Sequence, residues 1–414
     1  MADVIIVGAG PAGLTAALAA ADEGARVLLF EQLDRPAAKL AAAGGSRCNL
    51  TNTLDRESFL ARFGRQGRFM APALEAMDSA GLRRFLDCLG VPTHAPDGLR
   101  VYPKHESGSD VQQALRRRVE ELLGATLRLG ARVTGLLVEG GAVRGALTDA
   151  GRFGASRVIL ATGGRGYPAL GGSGSGYALA AQAGHTILDP RPALVPLVVQ
   201  ETWPRACAGS SATAARVWIH RPGQPRAGTS GDVLFTHRGL SGPAALDLSG
   251  DVSDLLARGP TVPIRLCVTP DCGADEWARR FRRWESESPR KTVHNLLDGA
   301  LPQSLARALA LEAGIARDAR TPEVSSDRRR RLAELLTAAP LTVTATEGFA
   351  RAMVTRGGVR LAEVRPETLE SRLVPGLYFA GEVLDLDGPS GGFNLQWAFS
   401  SGHLAGRSAA ASPP

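Results

Sequence analysis

Residues 4 to 7, VIIV, form an uninterrupted apolar run of strand length, rich in β-branched side chains. GAGPAG follows at once (8 to 13), and then LTAALAAADEG, which has helical composition and ends on Gly24, a helix-terminating residue. RVLLF (26 to 30) predicts a second strand, with Glu31 at its end. Strand, glycine turn, helix and strand make one βαβ unit. Residues 132 to 164 change pattern: short apolar stretches separated by glycine turns lead into VILA, a buried strand that stops at Thr162-Gly163-Gly164. GGSGSGYALAAQAGHTI (171 to 187) opens a helix, but no complete second βαβ unit surrounds it, so no dedicated NAD(P)H domain is expected. From 191 to about 340, short strands (ALVPLVVQ, ARVWIH, VLFTH, TVPIRLCV) alternate with Gly/Pro turns and give way to arginine-rich helical sequence. GLYFA (376 to 380) predicts a late strand, and residues 394 to 402 the start of a closing helix. The pattern predicts an α/β protein. Its Rossmann-type domain is interrupted by an inserted β-barrel-like unit and a small helical subdomain, with limits 1–190, 191–340 and 341–414.

The glycine turn gives the first unit its chemistry. Gly8, Gly10 and Gly13 permit a tight turn and close approach of a pyrophosphate, and the helix start offers free N–H groups at its positive end. Glu31, about 20 residues on, suits ribose hydroxyls, which favours FAD or NAD over NADP.

At 414 residues the chain is too long for one ordinary domain, and 44% hydrophobic residues suit a sizeable core. The net charge of +7 comes from 48 basic and 41 acidic residues, and Lys39, Lys104 and Lys291 are the only lysines. Arginines gather between about 279 and 331, but acids are interleaved and only Trp277 and Trp284 offer stacking surfaces. A solvated helical face is the simpler reading, and nucleic acid is a disfavoured partner. Five scattered cysteines (48, 88, 207, 267, 272) argue against a secreted disulfide framework and for a reducing, cytoplasmic setting. Cys267 and Cys272 lie at a strand end and in a turn, with no helix start to activate a thiol, so a redox role is disfavoured. Residues 4 to 21 carry no charge, yet Gly8, Gly10, Pro11 and Gly13 interrupt them, so no membrane span is expected. No residues show metal-site spacing, and no oligomeric state is implied. In FTHRGLSGPAAL (235 to 246), Pro243 suits a first helical position, Ser241 a cap, and His237 a proton donor or acceptor near neutral pH.

KLAAAGGSRCNLTN (39 to 52), together with the glycine turn, VILATGG, FTHRGLSGPA, VTRGGVRLAEV and GLYFAGEVLDLDGPSGGFNLQWAFSSG, resembles a bacterial FAD-binding flavoprotein family that includes the bile-acid flavoprotein reductase and aminoacetone oxidase. The resemblance implies a glutathione-reductase-like FAD domain carrying a barrel and helical insert. It implies Gly8, Gly10, Ala12 and Gly13 around the pyrophosphate and Glu31 on the ribose. The backbone of Val133 would meet the adenine, and Thr162 and Gly163 would lie against the FAD. Lys39, Gly45, Arg47, Cys48 and Asn49 would run along the cofactor. Gly381, Glu382 and Asp385 would approach the ribityl and pyrophosphate, and Gly392, Asn394 and Leu395 the isoalloxazine. Cys48, Tyr167 and His237 are candidates for substrate proximity, with no catalytic residue assigned. The family's arginine-lysine pair is Ala38-Lys39 here, its GGGRCN is GGSRCN, and an acid in its later glycine loop is Ser175. The implied function is an FAD-dependent oxidoreductase acting on an unidentified small molecule by hydride transfer at flavin N5, as a reductase that NAD(P)H docks to transiently. One alternative is an FAD-dependent, aminoacetone-like amine oxidase that makes hydrogen peroxide. Another is a flavin-dependent nucleic-acid-modifying or -binding protein, suggested by the +7 charge and the arginine-rich insert.

Overall fold

The computed structural model describes residues 2–122, 124–223 and 228–411. Contacts divide the chain into two units: 1–191 with 353–414, and 192–352.

The first unit is built on a five-stranded parallel sheet. Its order is Leu377–Phe379, Arg157–Leu160, β1 (Val4–Val7), β2 (Val27–Phe30) and Ala125–Arg128. All four β1 side chains are buried, as expected of a parallel strand covered on both faces. Helix α1 (Pro11–Asp22) starts on Pro11, where a missing N–H costs nothing, and Gly24 turns left-handed (φ +87°) just past its end. A three-stranded antiparallel sheet (Val133–Glu139, Ala142–Thr148, Gly151–Gly154) leads back into Arg157–Leu160.

The closing helix, Phe393–Ala411, packs on α1. A Cβ at Gly402 would lie 2.2 Å from the Ala12 carbonyl oxygen, and one at Gly406 would lie 2.3 Å from that of Ala16. Level 402 meets 12 and level 406 meets 16, so the two helices run parallel. The closing helix starts more than two turns before that crossing, so its N-terminus projects about 12 Å beyond that of α1 at 1.5 Å per residue.

The second unit has its own core around a closed barrel of six strands: Leu197–Val199, Gly239–Ser241, Gly228–Phe235, Ser211–Ile219, Val262–Cys267 and Ala339–Thr346. The expected return to the first domain at 341 is therefore too early. The strand after the last helix of the insert closes the barrel, and the unit runs on to Ala352. The expected Ser241 cap is also corrected. Helix Pro243–Leu256 starts on its proline, but Ser241 ends a barrel strand and Gly242 is the N-cap. Gly242 has φ +84°, and a Cβ there would sit 2.6 Å from the Asp232 carbonyl oxygen.

The arginine-rich sequence forms helices Ala274–Glu287 and Ser326–Ala338. Trp277 is fully buried against Phe281 and Trp284, so it is a core residue and not a stacking platform. The interleaved acids are used: Arg279 and Arg280 pair with Glu276, Arg329 with Glu285, and Arg330 with Asp327. Among the described residues no helix is long and apolar enough to cross a membrane.

Candidate cofactor site

The three glycines of the first turn differ in what surrounds them. A Cβ at Gly8 (φ +99°) would meet the Ala161 carbonyl oxygen at 2.6 Å, so this residue lets two strand ends close together. A Cβ at Gly13 would lie 1.8 Å from the Gly8 carbonyl oxygen, so this residue lets α1 pack on its own turn. A Cβ at Gly10 would meet nothing within 4 Å. Gly10 thus faces open space at the start of α1, where N–H groups have no intrahelical partner. A ligand phosphate fits that opening.

Glu31 is buried at the end of β2. One carboxylate oxygen accepts from the Ala9 N–H (2.8 Å) and the other from the Leu33 N–H (2.9 Å). Burial pushes its pKa up, and the backbone donors pull it back. An ionised carboxylate has about four lone-pair sites, so these backbone donors leave capacity for a hydroxyl donor. The Ala131 N–H donates to the Glu31 carbonyl, which brings Val133, two residues on, to the same edge.

The opposite side is assembled from chain ends far apart in sequence. Lys39 pairs with Glu382 at 2.8 Å, and the other Glu382 oxygen accepts from the Thr355 N–H at 2.9 Å. Gly381 (φ +76°) abuts Ala12: its Cβ would come within 3.0 Å of the Ala12 Cβ. Its N–H donates to Ser401 Oγ and its carbonyl accepts from Trp397 Nε1, so the closing helix holds the turn against α1. Gly163 has φ +69° with nothing near a Cβ, whereas Thr162 Oγ1 is buried without a partner. Asp385 is half-buried, and its N–H donates to the Val359 carbonyl.

At the start of the closing helix, Asn394 accepts from the Gly388 N–H and donates to the Gly388 and Pro389 carbonyls, fixing the glycine loop. Leu395 is half-buried in the first turn. Gly392 (φ +89°) meets Thr51: a Cβ there would lie 2.5 Å from the Thr51 carbonyl oxygen. Its glycine is therefore required by packing on strand Thr51–Asn52, a reason different from the expected approach to the flavin. Asn49, in the amide orientation that satisfies both sides, donates to the Thr51 carbonyl and accepts from the Gly392 N–H.

The 45 to 48 stretch is divided. Gly45 is open, with φ +66°. Arg47 turns onto the Tyr102 ring (4.6 Å) and pairs with Glu106, so its charge is already engaged. Cys48 is fully buried, and burial pushes its thiol up to about 12, which rules out thiolate chemistry near neutral pH. Tyr167 is half-buried in a left-handed conformation (φ +52°). His237 is exposed in a barrel hairpin of the second unit. Sequence reasoning missed Thr355 and Tyr177. Both lie near Glu382, and burial pushes the Tyr177 hydroxyl up, keeping it protonated. The only available signal was the VTRGG block that carries Thr355.

A Rossmann sheet, an open glycine at a helix start, a buried acid closing the second strand and a second helix start about 12 Å further on define an FAD-binding flavoprotein. Residues 2–408 match the model described as the HI0933-like protein Rossmann domain, and the chain belongs to that family. It is 35% identical to the 3-dehydro-bile acid delta(4,6)-reductase of Clostridium scindens, over 99% of both chains. It is 31% identical to the ribosomal RNA dihydrouridine synthase of Escherichia coli and 30% identical to that of Haemophilus influenzae, over 96% of each chain. The fold is similar to that of 3-ketosteroid-delta4-(5alpha)-dehydrogenase from Rhodococcus jostii (TM-score 0.55, 18% identity, 99% of this chain and 97% of that one). The protein is an FAD-dependent oxidoreductase.

Proposed function

We propose that the protein is a reductase that saturates a C=C bond conjugated to a carbonyl, with NAD(P)H docking transiently as the electron source. The observation that carries this reading is the full-length similarity to relatives named for such reductions. A 3-keto bile acid with a delta-4 bond and the 5,6 bond of uracil are both alkenes activated by a neighbouring carbonyl. Bound FAD supplies the hydride chemistry. The chain's own residues bind and orient: the α1 start and Gly10 take the phosphates, and Glu31 the ribose. Lys39 and Glu382 brace the loops between them. The start of the closing helix offers a positive end for negative charge that develops on reduction. The overall reaction consumes one alkene, one NAD(P)H and one proton, and yields the saturated product and NAD(P)+.

A second reading takes a uracil base in RNA as the substrate, favoured by the two dihydrouridine synthases. The test mixes the oxidised protein, without oxygen, with NADH, NADPH and small primary amines, and follows flavin bleaching. Bleaching by a nicotinamide, then recolouring by a conjugated enone or by uridine-containing RNA, is expected. Bleaching by amines alone, with hydrogen peroxide formed on re-aeration, would replace the proposal with an amine oxidase.

A further inference from the structure

The second unit carries a cavity of about 380 Å³ beside its barrel, separate from every residue placed at the cofactor site. Three elements converge on it. Strand Ser211–Ile219 and the turn after it bring Trp218 and Arg221, strand Val262–Cys267 brings Arg265, and helix Ser326–Ala338 brings Arg331 and Glu334. Sheet register explains the meeting: Trp218 is paired with Arg265, and Arg265 with Pro340 just beyond that helix.

Three guanidinium groups thus face one carboxylate around a space whose remaining walls include Ile219, Pro222 and Pro340. Ordinary structural duties leave most of this charge unspent. Arg265 donates to the Ala338 carbonyl at 3.5 Å, and Arg331 reaches Glu334 at 3.5 Å, both at the long limit of a hydrogen bond. A guanidinium carries five N–H donors, so each retains donors for a ligand. Arg221 lies exposed in the turn after its strand, so its guanidinium stands at the open edge of the cavity.

We propose that this cavity binds a phosphate ester, carried either by a mononucleotide or by an RNA strand. Forked N–H donors from separate arginines match phosphate oxygens, and the exposed Arg221 leaves the edge open to a ligand that continues past one phosphate. The proposal is independent of which alkene the flavin site reduces, because its readout is binding and not turnover.

The FAD-loaded full-length protein is titrated with inorganic phosphate and AMP by calorimetry, and with a labelled single-stranded oligouridylate by anisotropy. Saturable binding that weakens with added salt is expected. Arg331→Gln should weaken it about tenfold, and the Arg265→Gln/Arg331→Gln pair further, as charge-assisted bonds are lost. Glu334→Gln should tighten it about threefold by removing the opposing charge, a change that a purely structural Arg331–Glu334 pair does not predict. The Arg331 and Glu334 side chains are 42% and 55% exposed, so both single variants should keep the wild-type melting temperature and flavin spectrum. AMP binding as tightly as the oligonucleotide supports a nucleotide pocket, and binding by the oligonucleotide alone supports a strand. No saturable binding by any of the three, or affinity indifferent to both Arg331→Gln and Glu334→Gln, would overturn the proposal.

Discussion

Gly8, Gly10 and Gly13 are the same residue type with three separate physical reasons, and substitution can tell them apart. Gly10 has an extended conformation (φ −73°, ψ −177°) and open space where a Cβ would go. Gly10→Ala should therefore fold with a melting temperature within a few degrees of wild type. Its methyl stands where the pyrophosphate must approach, so FAD affinity should fall at least about tenfold, or about 1.4 kcal/mol. Gly13→Ala drives a methyl into the Gly8 carbonyl and should cost about 1–3 kcal/mol of stability whether or not FAD is present. Flavin retention and thermal melting of both variants check this; a Gly10→Ala protein that holds FAD as tightly as wild type would refute the assigned role. The spacing of these glycines and Glu31 was legible in sequence because one local βαβ unit contains them all. The Lys39–Glu382 pair was not legible as a contact, because its partners are 343 residues apart and only the fold brings them together. Gly242 replaced Ser241 as cap for a similar reason: the crowding that demands a glycine comes from Asp232 on a neighbouring strand.

At the scale of elements, the strands and helices of the first unit follow their apolar runs and glycine stops closely, since a parallel strand buried on both faces leaves a continuous apolar signature. What periodicity could not give was the parallel contact between α1 and the closing helix. That contact rests on small residues at matched levels, Ala12 with Gly402 and Ala16 with Gly406. It sets how far the closing helix projects, and hence where its positive end stands. Gly402→Val should push the helices apart, cost about 1–3 kcal/mol, and shift the closing helix's start relative to the glycine turn. The expected result is a lower melting temperature together with weaker FAD retention. An unchanged melting temperature would show that the two helices do not depend on this contact. Trp277 teaches the converse: its spacing with Trp284 was equally compatible with an exposed pair and with a buried stripe, and burial decided it.

At the scale of the whole molecule, the insert leaves and returns through one two-stranded ribbon, Ile187–Ala193 with Val354–Val359. The Arg360 N–H donates to the Thr186 carbonyl, while a Cβ at Gly357 would face the Asp189 carbonyl, so the two strands run antiparallel and their far ends come together. A unit attached at two adjacent points behaves as a long loop of the first unit, and closing a longer loop adds little entropy cost. The residues placed around the FAD opening, from Gly8 to Thr162 and from Gly381 to Leu395, all belong to the first unit. Residues 192–352 have domain length, a closed barrel and a separate buried core. Two fragments follow from this. Joining Arg191 to Met353 through a short Gly-Ser linker should leave a protein that still takes up FAD. The excised 192–352 segment should melt in one cooperative transition. It contains Trp203, Trp218, Trp277 and Trp284, while Trp397 alone lies outside, so tryptophan emission reports on it almost exclusively. Three of those four are buried, and a folded fragment should emit at short wavelength and shift to long wavelength on melting. A fragment without a cooperative transition, or a linked first unit that cannot hold FAD, would mean that the two cores are not independent and that the insert is part of the cofactor site.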